Sequence, residues 1–321
     1  MANCHDLFQK YHDMIKLDSS KKELLKNGKN ALRKKIKEYF SNTLEVESPK
    51  FWSQGSYALR TIVNPIVGEY DIDDGVYLQN LGTIKDKWPT PQIIHKWIYN
   101  AVKGHTKEDP IDKRTCVRVI YSGQYHVDLP IYGIYNNEHY LAEKGERGWH
   151  VSDPQILHNW FMNQLKVNGE QLRTTVKYLK AWADYQTKTK NLTLPSGLVL
   201  TILVAKSYTS RDRDDTAFGR TVKNIYQNIS NALAVCNPVD ESEVLTEYLT
   251  DQQKKVFIEL LLELMDSTNE ALGQQSKKEA CKIWRREFGS RFPCCDDIKE
   301  LEETVLHTKA PAILKDDARS A

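Results

Sequence analysis

Two aspartates in one apolar stretch and a third farther along the chain are the residues best placed to do chemistry. Asp71 and Asp73 stand two apart in the β-prone run "EYDIDDGVYL", and Asp128 lies between Val127 and Leu129 in "YHVDLPIY". Because alternate side chains of a strand share a face, Asp71 and Asp73 point together. If the two strands are neighbours, three carboxylates converge, and a hard divalent cation relieves their repulsion. The pattern therefore predicts a metal site at these three aspartates.

A Gly-Ser pair upstream of the aspartates supplies a second chemical element. Gly55 lets the backbone come close to a phosphate group, because it has no side chain. Ser56 would begin a helix, and the free amides at a helix start attract anions. Together with the aspartates, the pair predicts a nucleotide phosphate bound through two Mg²⁺ ions, which in such sites lie about 3.5–4 Å apart.

Two other interpretations of "DIDDG" remain open at this point. The segment could be an ordinary acidic turn, or a calcium loop whose glycine falls one position early for an EF-hand. An ordinary turn would not account for the apolar flanks or for Asp128. In a regular strand Asp74 points to the face opposite Asp71 and Asp73, which predicts that it pairs with a nearby Lys or Arg and has a structural role.

The overall composition is that of an ordinary globular chain. Its 321 residues are 40% hydrophobic and 27% charged, and the formal net charge is +2. So small a net charge gives no general electrostatic argument for binding nucleic acid or a membrane. Residues 20–38 are locally rich in lysine on a helical pattern, which fits either a solvated helix face or a basic wall that faces phosphates.

The sequence also bounds the compartment. "MANCHDLFQKYHDMIK" contains no apolar segment of a signal peptide, and the longest uncharged stretch, residues 191–205, is too short to span a membrane. We therefore expect a cytoplasmic protein without a membrane partner. There the six cysteines should be reduced thiols rather than a disulfide framework. Cys281, Cys294, Cys295 and His307 form an alternative zinc set, although their spacing matches no standard zinc finger.

Apolar periodicity predicts helices first, then strands around one helix, and then helices only. Residues 4–43 are predicted to be helical with a break near "LDSS", where Asp18 or Ser19 would cap a second helix. Thr90 and Pro91 begin a helix between the second and third strands. The predicted strands are 50–54, 70–79, 114–122, 124–132 and 133–141.

This order of elements predicts an α+β fold. A mixed sheet with flanking helices should be followed by a C-terminal helical domain. We expect residues 1–150 to form the N-terminal helix and catalytic core, 151–308 the helical domain, and 309–321 a flexible tail.

The quoted motifs resemble those of a known family. "GS…EYDID…HVDLP" resembles the active-site pattern of polymerase-β-like nucleotidyltransferases. More narrowly, "QGSYALRT", "EYDIDDGVYL" and "YHVDLPIY" resemble the bacterial CD-NTases, the cyclic-oligonucleotide synthases of anti-phage CBASS systems. The likeness continues through "LRTTVKYLKAW", "LPSGLVLTIL", "NPVDESEVL" and "WRREFGSRFP", so that it covers most of residues 40–295.

The resemblance implies a role for each matching residue. Asp71, Asp73 and Asp128 would be the catalytic metal ligands, with Asp128 nearest the attacking hydroxyl. The residues implied to bind the nucleotide are Gln54, Gly55, Ser56, Lys177, Lys180 and Ser196.

Two helices carry the later matches. Lys180 matches the lysine that reaches the triphosphate, and Lys177 and Arg173 lie on the same helix face. Ser196 matches a serine on the phosphate side of the next helix. Some relatives follow that serine with an aromatic that stacks on a base, where this chain has Gly197, so a tyrosine elsewhere would have to supply the stacking.

The implied activity is nucleotidyl transfer dependent on two Mg²⁺ ions, with Mn²⁺ as an alternative metal. The enzyme would join and cyclise ATP, GTP or another NTP into a cyclic di- or trinucleotide, which a downstream effector reads. Some family members are conjugated through an exposed small C-terminal residue by a ubiquitin-transfer-like partner, and Ala321 could serve in that way.

Three alternatives stay open. The chain could be a nucleotidyltransferase that modifies tRNA, protein or an antibiotic, because such enzymes share the Gly-Ser pair and the aspartates. It could be an oligonucleotide synthase that duplex nucleic acid activates. It could also be a nucleic-acid-binding module that uses residues 20–38, although the small net charge argues against a nucleic-acid partner.

Overall fold

A mixed sheet lies at the centre of the N-terminal half. The computed structural model describes residues 2–298 except 67, 69, 123 and 124. Within that part of the chain, the strands of the large sheet are β1 Lys50–Gln54, β2 Tyr70–Leu78, β3 Ile111–Asp112, β4 Cys116–Tyr121, β5 Tyr125–Tyr135, β6 Glu138–Glu143 and β7 Gly148–Val151. A separate small sheet pairs β8 Cys236–Asn237 with β9 Asp240–Val244.

The strand order places β2 and β5 side by side in the middle of the large sheet. The strands run β1-β2-β5-β4-β3, and β6 and β7 extend the sheet from the second half of β5. β2 and β5 pair in parallel, whereas the other pairs are antiparallel. Both central strands are mostly buried and rich in β-branched and aromatic residues, as expected of strands covered on both faces.

Helices flank the sheet and form most of the C-terminal half. In chain order they are α1 His5–Ile15, α2 Ser19–Asn42, α3 Gly55–Ala58, α4 Pro91–Val102, α5 Pro154–Asn168, α6 Glu170–Lys190, α7 Gly197–Ser207, α8 Asp214–Ile229, α9 Asp251–Gly273 and α10 Lys277–Phe288. None of the described helices has the length and hydrophobicity that a bilayer-spanning segment requires. The arrangement confirms the predicted α+β fold, a mixed sheet with flanking helices followed by a helical region.

α2 and α4 cover one face of the sheet. Ile36 of α2 and Ile98 of α4 are fully buried in one hydrophobic core with Ile72 of β2. Since side chains alternate along a strand, Asp71 and Asp73 point to the opposite face. The apolar sides of these two helices therefore decide which face of the sheet is left for polar chemistry.

A second hydrophobic core lies in the C-terminal half and includes the first helix. Phe8 of α1 packs against Tyr178 of α6 and Trp284 of α10, with ring centroids 5.1 and 4.9 Å apart. All three rings belong to the core that the later helices build. α1 therefore packs on the helical half although it precedes the sheet in sequence. The domain boundaries expected after residues 150 and 308 stay predictions.

Both predicted helix starts in the first half are confirmed. Asp18 caps α2, where its carboxylate accepts a hydrogen bond from the Lys21 amide at 2.8 Å. Thr90 is the N-cap residue of α4, and Pro91 is its first residue. Local signals were sufficient to locate these boundaries: a capping carboxylate at α2, and a proline as first residue at α4, where Thr90 makes no side-chain capping bond.

The predicted strand break after residue 132 is wrong. β5 continues to Tyr135, and the chain turns at Asn136 and Asn137, whose φ angles are 51° and 63°. Asparagine tolerates this left-handed backbone better than most residues do. Gly133 lies inside this strand, and a Cβ atom at this position would collide with the ring of Trp88.

The prediction that strands end by residue 141 is also wrong, because β7, β8 and β9 follow that position. β9 has the sequence "DESEV" and is almost entirely exposed, so it lacks the apolar alternation that marks a strand. The helix predicted from Leu245 begins at Asp251, after a capping box at Thr250.

One cysteine pair departs from the expected reduced thiols. Cys281 and Cys295 form a disulfide, so that expectation is wrong for this pair. The disulfide also removes two ligands from the alternative zinc set. His307 of that set and the predicted tail, residues 309–321, lie outside the described residues.

Candidate active site

The register between β2 and β5 brings the three predicted aspartates together. The strands pair with Asp73 opposite Asp128 and Asp71 opposite His126. All four side chains therefore stand on the sheet face away from α2 and α4. Because "DIDDG" lies within a regular strand, its interpretation as an acidic turn or a calcium loop is wrong. We call Asp71, Asp73 and Asp128 the acidic cluster.

Asp73 is the member of the acidic cluster whose negative charge is most opposed. Burial, reinforced by the charges of Asp71 and Asp128, raises the pKa of Asp73 to about 7. Near neutral pH its ionised form is therefore disfavoured, and a cation beside the three carboxylates would favour it.

His126 pairs with the most exposed carboxylate of the cluster. Its Nε2 atom is 3.1 Å from Oδ1 of Asp71. Burial alone would raise the pKa of Asp71, but the interaction with His126 outweighs it and holds that pKa below its usual range. The same interaction raises the pKa of His126. The side chain of Asp71 is 52% exposed, against 11% for Asp128.

Arg118 holds Asp128 from the neighbouring strand. It lies opposite Asp128 in the β4–β5 register, and its Nε and Nη2 atoms donate to the two carboxylate oxygens at 2.6 and 2.7 Å. Lys113 places a second cation 3.7 Å from Oδ2 of Asp128. A bidentate pair of this kind fixes the orientation of a carboxylate and leaves a lone pair on each oxygen for a further partner.

Asp74 points the other way, as predicted. It is fully buried, and Nε of Arg33 in α2 donates to its Oδ2 atom at 2.7 Å. The Ser53 hydroxyl donates to Oδ1 at 2.9 Å. The prediction that Asp74 is a structural partner of a Lys or Arg is confirmed.

Gly55 approaches the acidic cluster from the end of β1. It begins α3 with a φ angle of +58°, a backbone that favours glycine. A Cβ atom at this position would collide with the Asp73 carboxylate. Both conditions require glycine here. Ser56 follows as the second residue of α3 and is partly buried.

Gln54 uses its side chain inside the sheet. Its amide donates to the Tyr77 hydroxyl at 3.0 Å and accepts from the Tyr132 hydroxyl at 3.2 Å. The two tyrosine rings are stacked with their centroids 4.8 Å apart. The Gln54 side chain is thus buried between two tyrosines of the sheet, and its role in binding the nucleotide stays a prediction.

Lys180 of α6 is a buried cation with one hydroxyl partner. It is 9% exposed, and its Nζ atom donates to Oγ1 of Thr61 at 3.1 Å. Burial, with a smaller contribution from the charge of Lys177, lowers the pKa of Lys180 to about 7. Among the residues that the structure describes, no carboxylate forms an ion pair with Lys180, so an anion at this position would stabilise its protonated form.

Lys177 lies one turn away among other cations. Its Nζ atom is 3.3 Å from Nε2 of His12. Burial, followed by the charges of Lys22, Arg173 and Lys16, lowers the pKa of Lys177 to about 8. Since Lys22 belongs to α2, one end of the lysine-rich helix contributes to this positive region. We call Lys177 and Lys180 the lysine pair.

Residues 55–61 run between the acidic cluster and the lysine pair. At one end Gly55 contacts Asp73, and at the other Thr61 accepts the hydrogen bond from Lys180. Between them, the Leu59 carbonyl accepts from an arginine of α6 at 2.9 Å. Two groups of opposite charge thus flank one short segment, which suits a ligand that carries both a cation and a polyanion.

α7 begins beside the lysine pair. Ser196 is its N-cap residue, and a Cβ atom at Gly197 would lie 3.3 Å from Cε of Lys180. The Ser196 amide donates to the Tyr248 hydroxyl at 2.6 Å. Tyr248 is 58% exposed, so an accessible aromatic ring stands next to the start of α7.

The acidic cluster and His126 fit a divalent cation by their chemistry. Ligand atoms of Asp71, His126 and Asp128 all lie within 4.8 Å of one another. Carboxylate oxygens are the usual protein ligands of Mg²⁺. Burial, followed by the charges of Asp71 and Asp128, raises the pKa of Asp73, and a cation here would favour its ionised form.

Sequence analysis does not single out His126, Arg118 or Tyr248. His126 stands two residues before Asp128, so strand alternation would have placed both on one face. Arg118 is a lone charge in the apolar strand "CVRVIY", which is the pattern that marks Asp128. Tyr248 has no such signal, because only tertiary packing brings it to Ser196.

Two protein families, both described as cyclic GMP-AMP synthase domains, match the two halves of the chain. Residues 49–132 match a family described as cyclic GMP-AMP synthase DncV-like, nucleotidyltransferase domain, and residues 169–300 match cyclic GMP-AMP synthase, C-terminal domain. The cyclic GMP-AMP synthase of Escherichia albertii is 28% identical over 227 residues, which cover 67% of this chain and 48% of that protein. The chain thus spans about half of that relative's length.

A second relative is covered more fully. The cyclic GMP-AMP synthase of Vibrio cholerae is 25% identical over an alignment of 332 residues, which covers 85% of this chain and 73% of that protein.

Solved structures share the fold. Vibrio cholerae DncV in complex with nonhydrolyzable GTP has a TM-score of 0.77 at 21% identity, and the match covers 92% of this chain and 98% of that one. The same protein with its linear intermediate 5′ pppA(3′,5′)pG has a TM-score of 0.75 at 22% identity and covers 92% and 99%.

Proposed function

The chain belongs to the bacterial CD-NTases, a family of nucleotidyltransferases, and on this basis we propose that it joins NTPs and cyclises them into a cyclic di- or trinucleotide. Relatives named cyclic GMP-AMP synthase favour ATP and GTP as the substrates and a cyclic dinucleotide as the product. The likeness to the Vibrio cholerae structure that holds a linear intermediate supports the same order of steps, joining before ring closure.

One observation carries the proposal more than any other. The parallel register of β2 and β5 sets Asp71 and Asp73 against Asp128, and Gly55 closes on the same carboxylates. Three carboxylates on one face of the sheet oppose folding, because burial disfavours the ionised form of Asp73. A purely structural role gives no reason for such an arrangement. Binding of a metal-bound triphosphate would explain why the three carboxylates lie together.

The acidic cluster would hold the divalent cations, two Mg²⁺ ions with Mn²⁺ as an alternative. When bound, such ions would lower the pKa of the attacking hydroxyl and neutralise the charge that develops on the leaving group.

The chain's own residues bind and orient the reactants. A ribose hydroxyl of the acceptor attacks the α-phosphate of the donor NTP, and pyrophosphate leaves. Arg118 fixes Asp128, the carboxylate that the family resemblance implies is nearest the attacking hydroxyl, so Asp128 would orient that hydroxyl. Lys180 and the backbone at Gly55 and Ser56 bind the triphosphate, so that the leaving group stays in line. Placing the reactants in this way supplies much of the rate enhancement.

The lysine pair is suited to the polyphosphate. Burial, followed by neighbouring positive charges, lowers the pKa of Lys180 and of Lys177, and a bound triphosphate would favour the protonated form of both. Tyr248, whose hydroxyl is bonded to the start of α7, offers the exposed ring on which a base can stack. Cyclisation then requires the linear product to rebind, turned around, between the sheet and the helical half.

Mass spectrometry of the product formed with Mg²⁺ from all four NTPs tests the proposal. We expect a phosphatase-resistant cyclic product without any added acceptor, because the acceptor is itself an NTP. A matched reaction with the Asp71→Asn/Asp73→Asn variant should give none.

The alternatives give different results in the same assay. Transfer that requires added tRNA, protein or antibiotic would replace our proposal with a modifying enzyme. Product that forms only with duplex RNA or DNA would indicate a duplex-activated synthase, and a gel shift that weakens with salt would accompany it. A wild-type protein that binds no nucleotide would overturn all three.

Family membership also supports a wider biological role. We propose that the cyclic product serves anti-phage defence in the cytoplasm and is read by a downstream effector. Conjugation of Ala321 by a ubiquitin-transfer-like partner stays a prediction, because that residue lies outside the described part of the chain. Loss of a covalent adduct on deleting Ala321 in the native host would be its test.

A further inference from the structure

His126 lies on the acidic face of the sheet but has no part in the reaction proposed above. In the parallel register it is opposite Asp71, and it precedes Asp128 by two residues in β5. Its side chain is 14% exposed, so the ring lies against the sheet rather than in solvent. Ligand atoms of these three residues all lie within 4.8 Å of one another.

These separations are close to those around a bound metal ion. Two ligand atoms that lie 2.0–2.3 Å from one ion are at most about 4.6 Å apart. Small side-chain movements would therefore bring all three donors onto one ion. Resting on the proposed function, we propose that His126 is a nitrogen ligand of the divalent cation that Asp71 and Asp128 hold.

A neutral donor suits this position better than another carboxylate would. The charges of Asp71 and Asp128 already oppose the ionisation of Asp73. An imidazole binds metal through a neutral nitrogen, so it adds a ligand without adding repulsion. Arg118 and Lys113 lie beside Asp128, and their positive charges weaken the attraction of the site for a metal ion. An additional ligand would offset this loss of metal affinity.

An ion pair with Asp71 gives a weaker reason for a histidine here. The Asp71 side chain is about half exposed, and pairs with so exposed a carboxylate contribute little to stability. The buried side of the sheet shows the contrast, because Arg33 there pairs with the fully buried Asp74. Metal ligation accounts for the position of His126 without requiring a contribution to stability.

A nitrogen ligand changes which cation the site prefers. Mg²⁺ selects oxygen ligands, whereas imidazole is a good ligand for the first-row transition metals. We therefore expect the site to prefer Mn²⁺ over Mg²⁺ more strongly than a site built from carboxylates alone.

Pulsed electron paramagnetic resonance with Mn²⁺ alone tests the ligand directly. We expect ¹⁴N coupling to Mn²⁺ bound to the untagged, chelator-treated protein, and its loss in His126→Gln. Growing the wild-type protein on ¹⁵N-histidine should change the coupling without any substitution, so the test does not depend on how the variant folds. The matched control is His105→Gln, because His105 bonds to Tyr121 instead of the acidic cluster.

Binding affinities give a second readout. Losing a ligand should weaken Mn²⁺ binding by at least the roughly tenfold that loss of an outer partner costs, and should weaken Mg²⁺ binding less. Mn²⁺ that needs Asp71 and Asp128 but shows no ¹⁴N coupling would overturn this inference and leave the proposed function standing. Mn²⁺ binding unaffected by Asp71→Asn would count against both.

Discussion

The acidic cluster and the lysine pair are opposite in charge but share one electrostatic property. In the acidic cluster, burial and two neighbours raise the pKa of Asp73 to about 7. In the lysine pair, burial and one neighbour lower the pKa of Lys180 to about 7. Each region therefore opposes the ordinary charge of its own central residue. When a cation and a triphosphate bind together, the cation would favour ionised Asp73 and the triphosphate would favour protonated Lys180.

The two regions differ in how the chain builds them. The acidic cluster comes from the register of two adjacent strands, and the Asp74–Arg33 pair lies on the opposite face of the same sheet. The lysine pair depends on one helix face and on partners far away in sequence, such as Thr61. Strand alternation therefore positions the acidic cluster locally, whereas tertiary packing positions the lysine pair.

The largest expected effect follows from removing the charge of the acidic cluster. The Asp71→Asn/Asp73→Asn variant should form cyclic product at least about a thousandfold more slowly, since a single preorganised electrostatic contact is worth about a hundred- to a thousandfold. Chromatography of the reaction with mixed NTPs measures it. Asp86→Asn, at an exposed position, is the matched control. A double variant that retains activity would separate the cluster from catalysis.

The next effect concerns stability and separates Asp74 from its neighbours. Arg33→Met leaves Asp74 charged and buried without its main partner, which should lower the free energy of unfolding by roughly 3–5 kcal/mol. Adding Asp74→Asn should restore much of the loss, because no unpaired charge then remains. Urea unfolding of the single and double variants measures both. A loss below about 1 kcal/mol in Arg33→Met would contradict the structural role of this pair.

On the lysine side, Lys180→Met should reduce kcat/KM about a hundredfold. The substitution keeps an apolar chain of similar length and removes the charge that we propose binds the triphosphate. Steady-state kinetics with ATP and GTP measure the change. The control is Lys188→Met, which removes an exposed lysine of the same helix. Equal kinetics of the two variants would show that the lysine pair lies outside the reaction.

The two buried groups also predict opposite pH windows for stability in metal-free protein. Folding raises the pKa of Asp73 from 3.8 to about 7, so its contribution to stability is lost as pH rises through this range. Folding lowers the pKa of Lys180 from 10.5 to about 7, so the native state is increasingly disfavoured as pH falls through that range.

Unfolding experiments in EDTA measure these windows. Asp73→Asn should gain stability over wild type between about pH 4 and 7, and Lys180→Met should gain between about pH 10.5 and 7, each by roughly 2–5 kcal/mol at its plateau. Differences from wild type that do not change with pH would contradict the assignment of charge strain to these residues.

The smallest expected effect concerns the base. Tyr248→Leu should raise the KM for nucleotide roughly five- to a hundredfold, because stacking of a base on an aromatic is worth about 1–3 kcal/mol. Tyr248→Phe keeps the ring and loses only its bond to the Ser196 amide, so it should stay near wild type. If the two variants are impaired equally, the hydroxyl matters and the ring does not.

The sequence predicted correctly on which face of the sheet each aspartate of β2 lies, because the evidence for this is local. Alternation in "EYDIDDGVYL" separates Asp74 from Asp71 and Asp73, and the opposite faces are confirmed by the Arg33 pair. Capping at Asp18 located the start of α2 for the same reason, since the cap and its amide are neighbours in sequence.

The failures come from interactions that no short window contains. The predicted strands 124–132 and 133–141 divide β5 at Gly133, where only the tertiary structure shows that a tryptophan ring occupies the space of a side chain. The role implied for Gln54 in binding the nucleotide stays a prediction, and no short window of sequence shows that its side-chain amide bonds to two tyrosines of other strands. The contact of Tyr248 with Ser196 joins residues 52 positions apart.

The central claim is that the acidic cluster receives a metal-bound triphosphate, and proton exchange on binding tests it most directly. Because burial raises the pKa of Asp73 to about 7, its carboxyl takes up and releases protons near neutral pH, and a bound cation would favour the ionised form. Calorimetry in buffers of different ionisation enthalpy, with Mg²⁺ and a nonhydrolysable ATP analogue, counts the protons released. We expect wild type to release on the order of half a proton more than Asp73→Asn. Equal proton release by the two proteins would contradict the claim.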